Sequence, residues 1–131
     1  VQLLRPARIE ALAWSSEARQ RLATFGARPP ATADAVLWGE AERAGLAFSR
    51  HGPVWIAHGD PAGEARDAIS AIWRFRDLCE RNGARPAFID VGPENLRIYA
   101  DTGLQTLPDA KRPGRYLACD AQRDLEVVQA A

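Results

Sequence analysis

The feature that most constrains this chain is a unit in its middle: a strand, a tight turn, a long helix and a second strand. Val54-Trp55-Ile56-Ala57-His58 is almost continuously apolar, which predicts a strand covered on both faces rather than one at a sheet edge. Gly59-Asp60-Pro61-Ala62-Gly63 follows with turn chemistry, since Asp60 can cap a helix and the ring of Pro61 presets the backbone for a first helical position. Ala65, Ala68, Ile69, Ile72, Trp73, Phe75 and Cys79 then recur at three- and four-residue steps on one face of a long helix, which Asn82-Gly83 stops. Pro86 to Val91 reads as the next strand. A crossover helix of this length joins parallel strands, so the fold class is α/β, with a mixed sheet flanked by helices.

The flanks read less sharply. Ala7, Ala11, Trp14, Ala18, Leu22 and Phe25 form one stripe and predict a helix closed near Gly26, and a second helix is expected from about Thr32 to Ala44. Residues 1–45 are thus expected to be helical and residues 46–119 to form the α/β core, beginning with a short strand at Leu46–Ser49. Beyond Val91, Pro93 sits at a helix start, Leu96, Tyr99 and Ala100 face inward, and Gly103 is the expected left-handed cap. Tyr116–Cys119 predicts a weaker strand, and the tail from Asp120 is polar without a clear period. At 131 residues the chain suits one domain, 1–131.

Composition narrows the function classes. Seventeen basic and seventeen acidic residues give a net charge of zero, which argues against a strongly nucleic-acid-binding domain. No run approaches the roughly 20 apolar residues that cross a bilayer. Cys79 and Cys119 lack metal-ligand spacing and read as small core residues in a reducing compartment. The chain opens at Val1 and contains no Met, as expected of a piece cut from a longer protein.

Three constellations could carry chemistry. The Gly59–Gly63 turn could offer free backbone N–H groups to an anion, or Asp60 could fill that position itself as a cap. Arg76 falls in the apolar stripe of the long helix, where it needs either a carboxylate such as Asp90 or Glu94 or a polar ligand; Arg74 is expected on the exposed side. Glu94, Asn95 and Tyr99 form the third: Glu94 suits the positive end of a helix, Asn95 could orient a substrate, and Tyr99 could donate a proton or simply be core. His51 and His58 read as turn and strand-end residues, away from any nucleophile motif, and no metal site is expected.

His58-Gly59-Asp60-Pro61, the block Ile72-Trp73-Arg74-Phe75-Arg76-Asp77-Leu78-Cys79, the block Val91-Gly92-Pro93-Glu94-Asn95-Leu96, and Tyr99 through Leu104 together resemble one family. They are similar to the C-terminal cytoplasmic domain of bacterial phosphatidylglycerol lysyltransferases, also called aminoacyl-phosphatidylglycerol synthases or multiple peptide resistance factors. The resemblance covers about residues 21–107. It implies a GNAT-like (acyl-CoA N-acyltransferase-like) fold, the first of two in tandem, within a bacterial inner-membrane protein. The implied activity is transfer of lysine or alanine from aminoacyl-tRNA to phosphatidylglycerol, which lowers the negative charge of the membrane and confers resistance to antimicrobial peptides. Implied partners are the phosphatidylglycerol headgroup, aminoacyl-tRNA (mainly through the second fold) and the membrane-embedded part of the parent, with a homodimer left open; no cofactor is implied. On this reading Gly59, Asp60, Pro61, Gly63, Arg76 and Glu94 would bind substrate, with Asn95 and Tyr99 catalytic, and the isolated chain would be inactive. Two departures from the pattern stand out. The chain is short between Phe48 and Val54, as if residues were missing, and the acetyltransferase cofactor loop is absent before the long helix. An acyl-CoA-dependent N-acyltransferase and a non-catalytic packing or dimerisation module are the alternatives.

Overall fold

The computed structural model describes residues 8–131. Its strands are Leu12–Ala13 (β1), Ala35–Trp38 (β2), Ala44–His51 (β3), Val54–His58 (β4), Ala62–Gly63 (β5), Arg85–Val91 (β6), Gln105–Pro108 (β7) and Tyr116–Cys119 (β8). Its helices are Ser16–Thr24 (α1), Ala65–Arg81 (α2), Leu96–Asp101 (α3) and Leu125–Ala130 (α4). One mixed sheet runs β1-β2-β3-β4-β6-β8-β7, with β5 set against β3. Within it β4 and β6 are parallel, from Val54 opposite Arg85 to His58 opposite Ile89, and α2 is their crossover. The mixed sheet flanked by helices is therefore the architecture the sequence predicts.

Alternation along the strands divides the core in two. Leu46 and Phe48 of β3, Ala57 of β4, Phe88 of β6 and Ala118 of β8 face α2 and α3, where they meet Ile72, Phe75, Cys79 and Tyr99. Phe75 packs between Phe48 and Phe88 at ring separations of 5.0 and 5.3 Å, and Phe88 lies 4.5 Å from Tyr99. On the opposite face, α1 covers Val36, Trp38 and Ala47, while α4 and its approach cover Val54, Ile56, Ala87, Ile89, Leu117 and Cys119. Both cysteines are free and buried as expected, and burial raises the Cys79 thiol pKa to about 12 and that of Cys119 to about 11.

The N-terminal expectation is corrected. Ala7 lies outside the described residues; α1 starts only at Ser16, where the Ser15 hydroxyl accepts the Ala18 N–H, and the stretch before it adds β1 to the sheet edge. The expected helix at Thr32–Ala44 is instead β2, a turn, and the start of β3. Its apolar residues are consecutive, so a four-residue strand buried on both faces accommodates them better than one helical stripe. The turn is held by Asp67, only 3% exposed, whose carboxylate accepts the N–H groups of Ala41, Arg43 and Ala44 at 2.8–2.9 Å. Gly39 is required there, because a Cβ would fall on the Asp67 carboxylate.

Phe48 to Val54 needs no missing residues. His51 pairs with Val54, leaving Gly52-Pro53 as a two-residue hairpin turn with Gly52 at φ 60°, the position where such turns favour glycine. Three elements escape the sequence reading: β5, within the expected turn, β7, and α4 in the tail, where Val128 is buried but little else carries a period. Ala100 is exposed rather than inward, while Gly103 caps α3 at φ 97° as expected.

Candidate functional site

The parallel strands β4 and β6 end side by side, and in open α/β sheets ligands gather outside such carboxyl ends. Here β4 runs into Gly59-Asp60 and β6 into Asp90-Val91-Gly92. Asp60 does not cap α2, whose N-cap is Glu64. Its carboxylate reaches across instead, accepting the Tyr99 hydroxyl at 2.5 Å and the Gly92 N–H at 2.8 Å. The turn geometry explains why: Gly59 at φ 92° swings the chain away from helix entry, and Ala62-Gly63 first pairs with Ala44 and Gly45 of β3. Gly63 lies so close to Arg43 and Ala44 that a Cβ would strike their backbone. With β5 paired, and with Glu64 and Asp67 both at the start of α2, that helix end offers no anion cradle.

Tyr99 is fully buried, and its hydroxyl is committed to Asp60. Burial, reinforced by the Asp60 charge, pushes its pKa far above the usual tyrosine value, so it acts here as a fixed donor. Beside it, Asp90 occupies a β-bulge between Phe88 and Val91 with φ 54°, a left-handed conformation uncommon for any side chain but glycine. The bulge aims Asp90 at Arg115: Nε donates to Asp90 Oδ1 and Nη2 to the Asp90 carbonyl, both at 2.8 Å. The Asp90 bond, with the charges of Asp60 and Glu94 added, holds Arg115 firmly cationic. Gly92 lies between Glu94 and Arg115, where a Cβ would collide with the Glu94 carboxylate.

Of the residues singled out in the sequence, the structure brings together Gly59, Asp60, Glu94 and Tyr99. Asn95 stands between Glu94 and α3 as a half-buried N-cap without a side-chain cap bond. Pro61 is buried in the turn and Gly63 serves β5 pairing. Arg76 does not join them. It lies at the other end of β6, in a pocket of ≈ 260 Å³ lined by Arg85, Thr102, Leu104 and Asp120. It is half exposed, 3.6 Å from Asp77 and over the Trp73 ring, and Asp90, its expected partner, is taken by Arg115. The buried stripe of α2 runs through Ala68, Ala71, Ile72, Phe75, Leu78 and Cys79, rotated from the expected one so that Ile69, Trp73 and Arg76 flank it. Arg74, expected in solvent, is half-buried and donates to the Trp38 carbonyl.

Sequence reasoning missed two arrangements. Arg115 could have been found only from the β6–β8 register, since Tyr116 lies opposite Val91. The other is on the opposite sheet face. Phe48 opposite Ala57 in the β3–β4 hairpin makes Ser49 and His58 diagonal neighbours on that face, and Ser49 Oγ lies 2.7 Å from His58 Nε2. A groove of ≈ 520 Å³ opens onto this pair, lined also by Asp34, His51, Ile89 and Arg112.

Residues 31–112 match the family model described as phosphatidylglycerol lysyltransferase, C-terminal, a stretch that includes Asp60, Asp67 and Tyr99 and ends before Arg115. No curated protein matches the chain. Among solved structures, one similar to it is the C-terminal domain of a protein assigned as a lysylphosphatidylglycerol synthetase from Agrobacterium fabrum. The TM-score is 0.62 at 27% identity, over 70% of this chain and 32% of that one. The structure of L-PGS from Bacillus licheniformis shares the fold, with a TM-score of 0.57 at 18% identity over 67% of this chain and 30% of that one. The chain thus spans about a third of the length of these structures. With more than half of its residues inside the family match, the chain belongs to the phosphatidylglycerol lysyltransferase C-terminal family.

Proposed function

We propose that this chain is one α/β half of an aminoacyltransferase that moves an amino acid, of the lysine or alanine type, from aminoacyl-tRNA to phosphatidylglycerol. The observation that carries the reading is the polar cluster at the carboxyl ends of β4 and β6, where Asp60, locked by Tyr99 and Gly92, stands near the Asp90–Arg115 pair. Transfer between two esters needs little beyond orientation of a hydroxyl and an ester carbonyl, and a rigid carboxylate and guanidinium can orient both. In this role Gly59, Asp60, Glu94 and Arg115 line the substrate side. Asn95 extends that wall, and Tyr99 acts by fixing Asp60. Arg76 belongs to a separate pocket and would act, if on substrate at all, on a more distant part of it. The domain would lie on the cytoplasmic side, where aminoacyl-tRNA is found; no helix among the described residues is long and apolar enough to cross a membrane.

The acyl-CoA alternative loses support, because Glu64 and Asp67 place negative charge at the helix end that would have held a pyrophosphate. The packing-module alternative would draw on exposed apolar surface, and the large apolar side chains exposed among the described residues are Leu12 and Val127. The test is lipid aminoacylation by the full-length protein, supplied with lysyl- or alanyl-tRNA and phosphatidylglycerol vesicles. Asp60→Asn, which keeps the side-chain volume and removes the charge, is expected to lower the yield on the order of 10²-fold. An unmodified lipid pool with the wild-type protein and every aminoacyl-tRNA would reject the reading.

A further inference from the structure

The groove on the sheet face away from Tyr99 holds chemistry that the proposed transfer does not use. Ser49 and His58 are both half-buried and share a short hydrogen bond, and the groove gives their polar ends access to a small molecule. Strand placement makes the pair rigid, since both residues lie in the paired β3–β4 hairpin, with Ala57 and Phe48 anchored in the core on the reverse face. A serine hydroxyl held against an imidazole nitrogen is the arrangement that turns a weak nucleophile into an active one. The charged and titratable groups that act on His58 are His51, Asp34 and Arg112. Burial together with His51 keeps the imidazole neutral at neutral pH, leaving it able to take a proton.

We propose that Ser49 and His58 form a nucleophile–base dyad that accepts an acyl group from a small carboxylic ester bound in this groove. Ser49 Oγ bonds to the acyl carbon as the bond from that carbon to the ester's alcohol oxygen breaks. The Oγ proton passes to His58 Nε2 and from there to the departing alkoxide, so the dyad returns to neutrality with the acyl group on Ser49. Water or a second alcohol then removes the acyl group by the reverse proton path. Arg112, on the groove wall and ion-paired to Asp109 at 2.9 Å, would add positive charge on the side of the tetrahedral oxyanion.

The test needs neither tRNA nor lipid, so its outcome is independent of the aminoacyltransferase reading. The full-length protein is mixed with p-nitrophenyl acetate, p-nitrophenolate release is followed, and the acetylated residue is located by tandem mass spectrometry. A burst of release with acetyl on Ser49 is expected. Ser49→Ala should abolish that label, and His58→Gln should slow its formation on the order of 10²-fold. The wild-type pH profile provides a readout that needs no variant. The rate should level off below the ordinary histidine pKa of 6.5, because the free base is already formed there. Acetyl confined to other residues, an undiminished rate in a folded His58→Gln protein, or a rate still rising tenfold per pH unit above pH 8 would overturn the proposal.

Discussion

Two carboxylates that flank the start of α2, Asp60 five residues before Ala65 and Asp67 two after it, have the same task and different surroundings. Asp67 is closed off: it is buried and accepts three backbone N–H groups of the β2–β3 turn. Asp60 is only half-buried and accepts one backbone N–H and one tyrosine hydroxyl, with Arg115 and Glu94 beyond it. Each ties a loop to the sheet, but Asp67 has no remaining access for a ligand whereas Asp60 faces the open carboxyl ends of two parallel strands. A carboxylate saturated by backbone donors is a structural part, and one held by a side chain at a strand end can also meet substrate.

The sharpest way to break this contrast is Asp67→Ala. Three N–H groups would lose their acceptor together, that of Ala44 buried and those of Ala41 and Arg43 partly open to water, so a loss of about 2 kcal/mol is expected in urea unfolding. Since domains of this size are stable by about 5–15 kcal/mol, the change should be plain in the midpoint. A loss of under about 1 kcal/mol would mean that the turn holds without Asp67 and that the contrast with Asp60 is false.

Tyr99→Phe probes the other side with a smaller expected effect. The ring remains packed on Phe88, so only the bond to Asp60 goes, and a hydrogen bond to a charged group contributes about 1.5–3 kcal/mol. Because Asp60 stays half-exposed, water can replace part of that bond, and a stability loss of about 1.5 kcal/mol is expected. Lipid aminoacylation by the full-length protein should fall further than this loss of fold explains, because Asp60 loses its fixed orientation. Equal falls in stability and activity would make the Asp60–Tyr99 bond merely structural, like the Asp67 turn.

The same contrast explains what could be read in advance. The β4–α2–β6 unit was legible because its apolar periods are local, and Gly83 and Gly103 mark helix ends by a conformational need that no distant residue alters. The stretch from Thr32 to Ala44 misled because Ala35–Trp38 is apolar at every position, which suits a doubly covered strand or a buried helix alike. What decides between them is Asp67, some 30 residues on, and a charged residue in a helical pattern reads as surface rather than as the anchor of another loop. Arg76 failed for the complementary reason. With Ile69 and Trp73 placed on the buried face, the stripe is rotated away from Ala71 and Leu78, and Arg76 is carried into the core. At the site, Asp60 and Tyr99 were legible as polar residues in special places, whereas Arg115 and the Ser49–His58 pair depend on strand register, which no local pattern records.

The smallest effect concerns pH and separates the two sheet faces. Burial, with His51 adding to it, lowers the pKa of His58 in the folded state below its ordinary value of 6.5. Between the lowered value and 6.5 the unfolded chain binds more protons at this position than the folded one, so stability rises with pH across that window. The contribution is complete above pH 6.5 and is lost as pH falls through the folded value. Urea midpoints measured from pH 7.5 down to pH 5 should therefore decline; His58→Gln should remove part of that decline, whereas Tyr99→Phe should leave it unchanged. The two responses should separate because His58 titrates on the groove face, whereas the Asp60–Tyr99 bond lies across the sheet and keeps its proton on the tyrosine throughout this range. If His58→Gln left the slope intact, the groove would be wetter than its packing indicates, and His58 would titrate as an ordinary surface histidine.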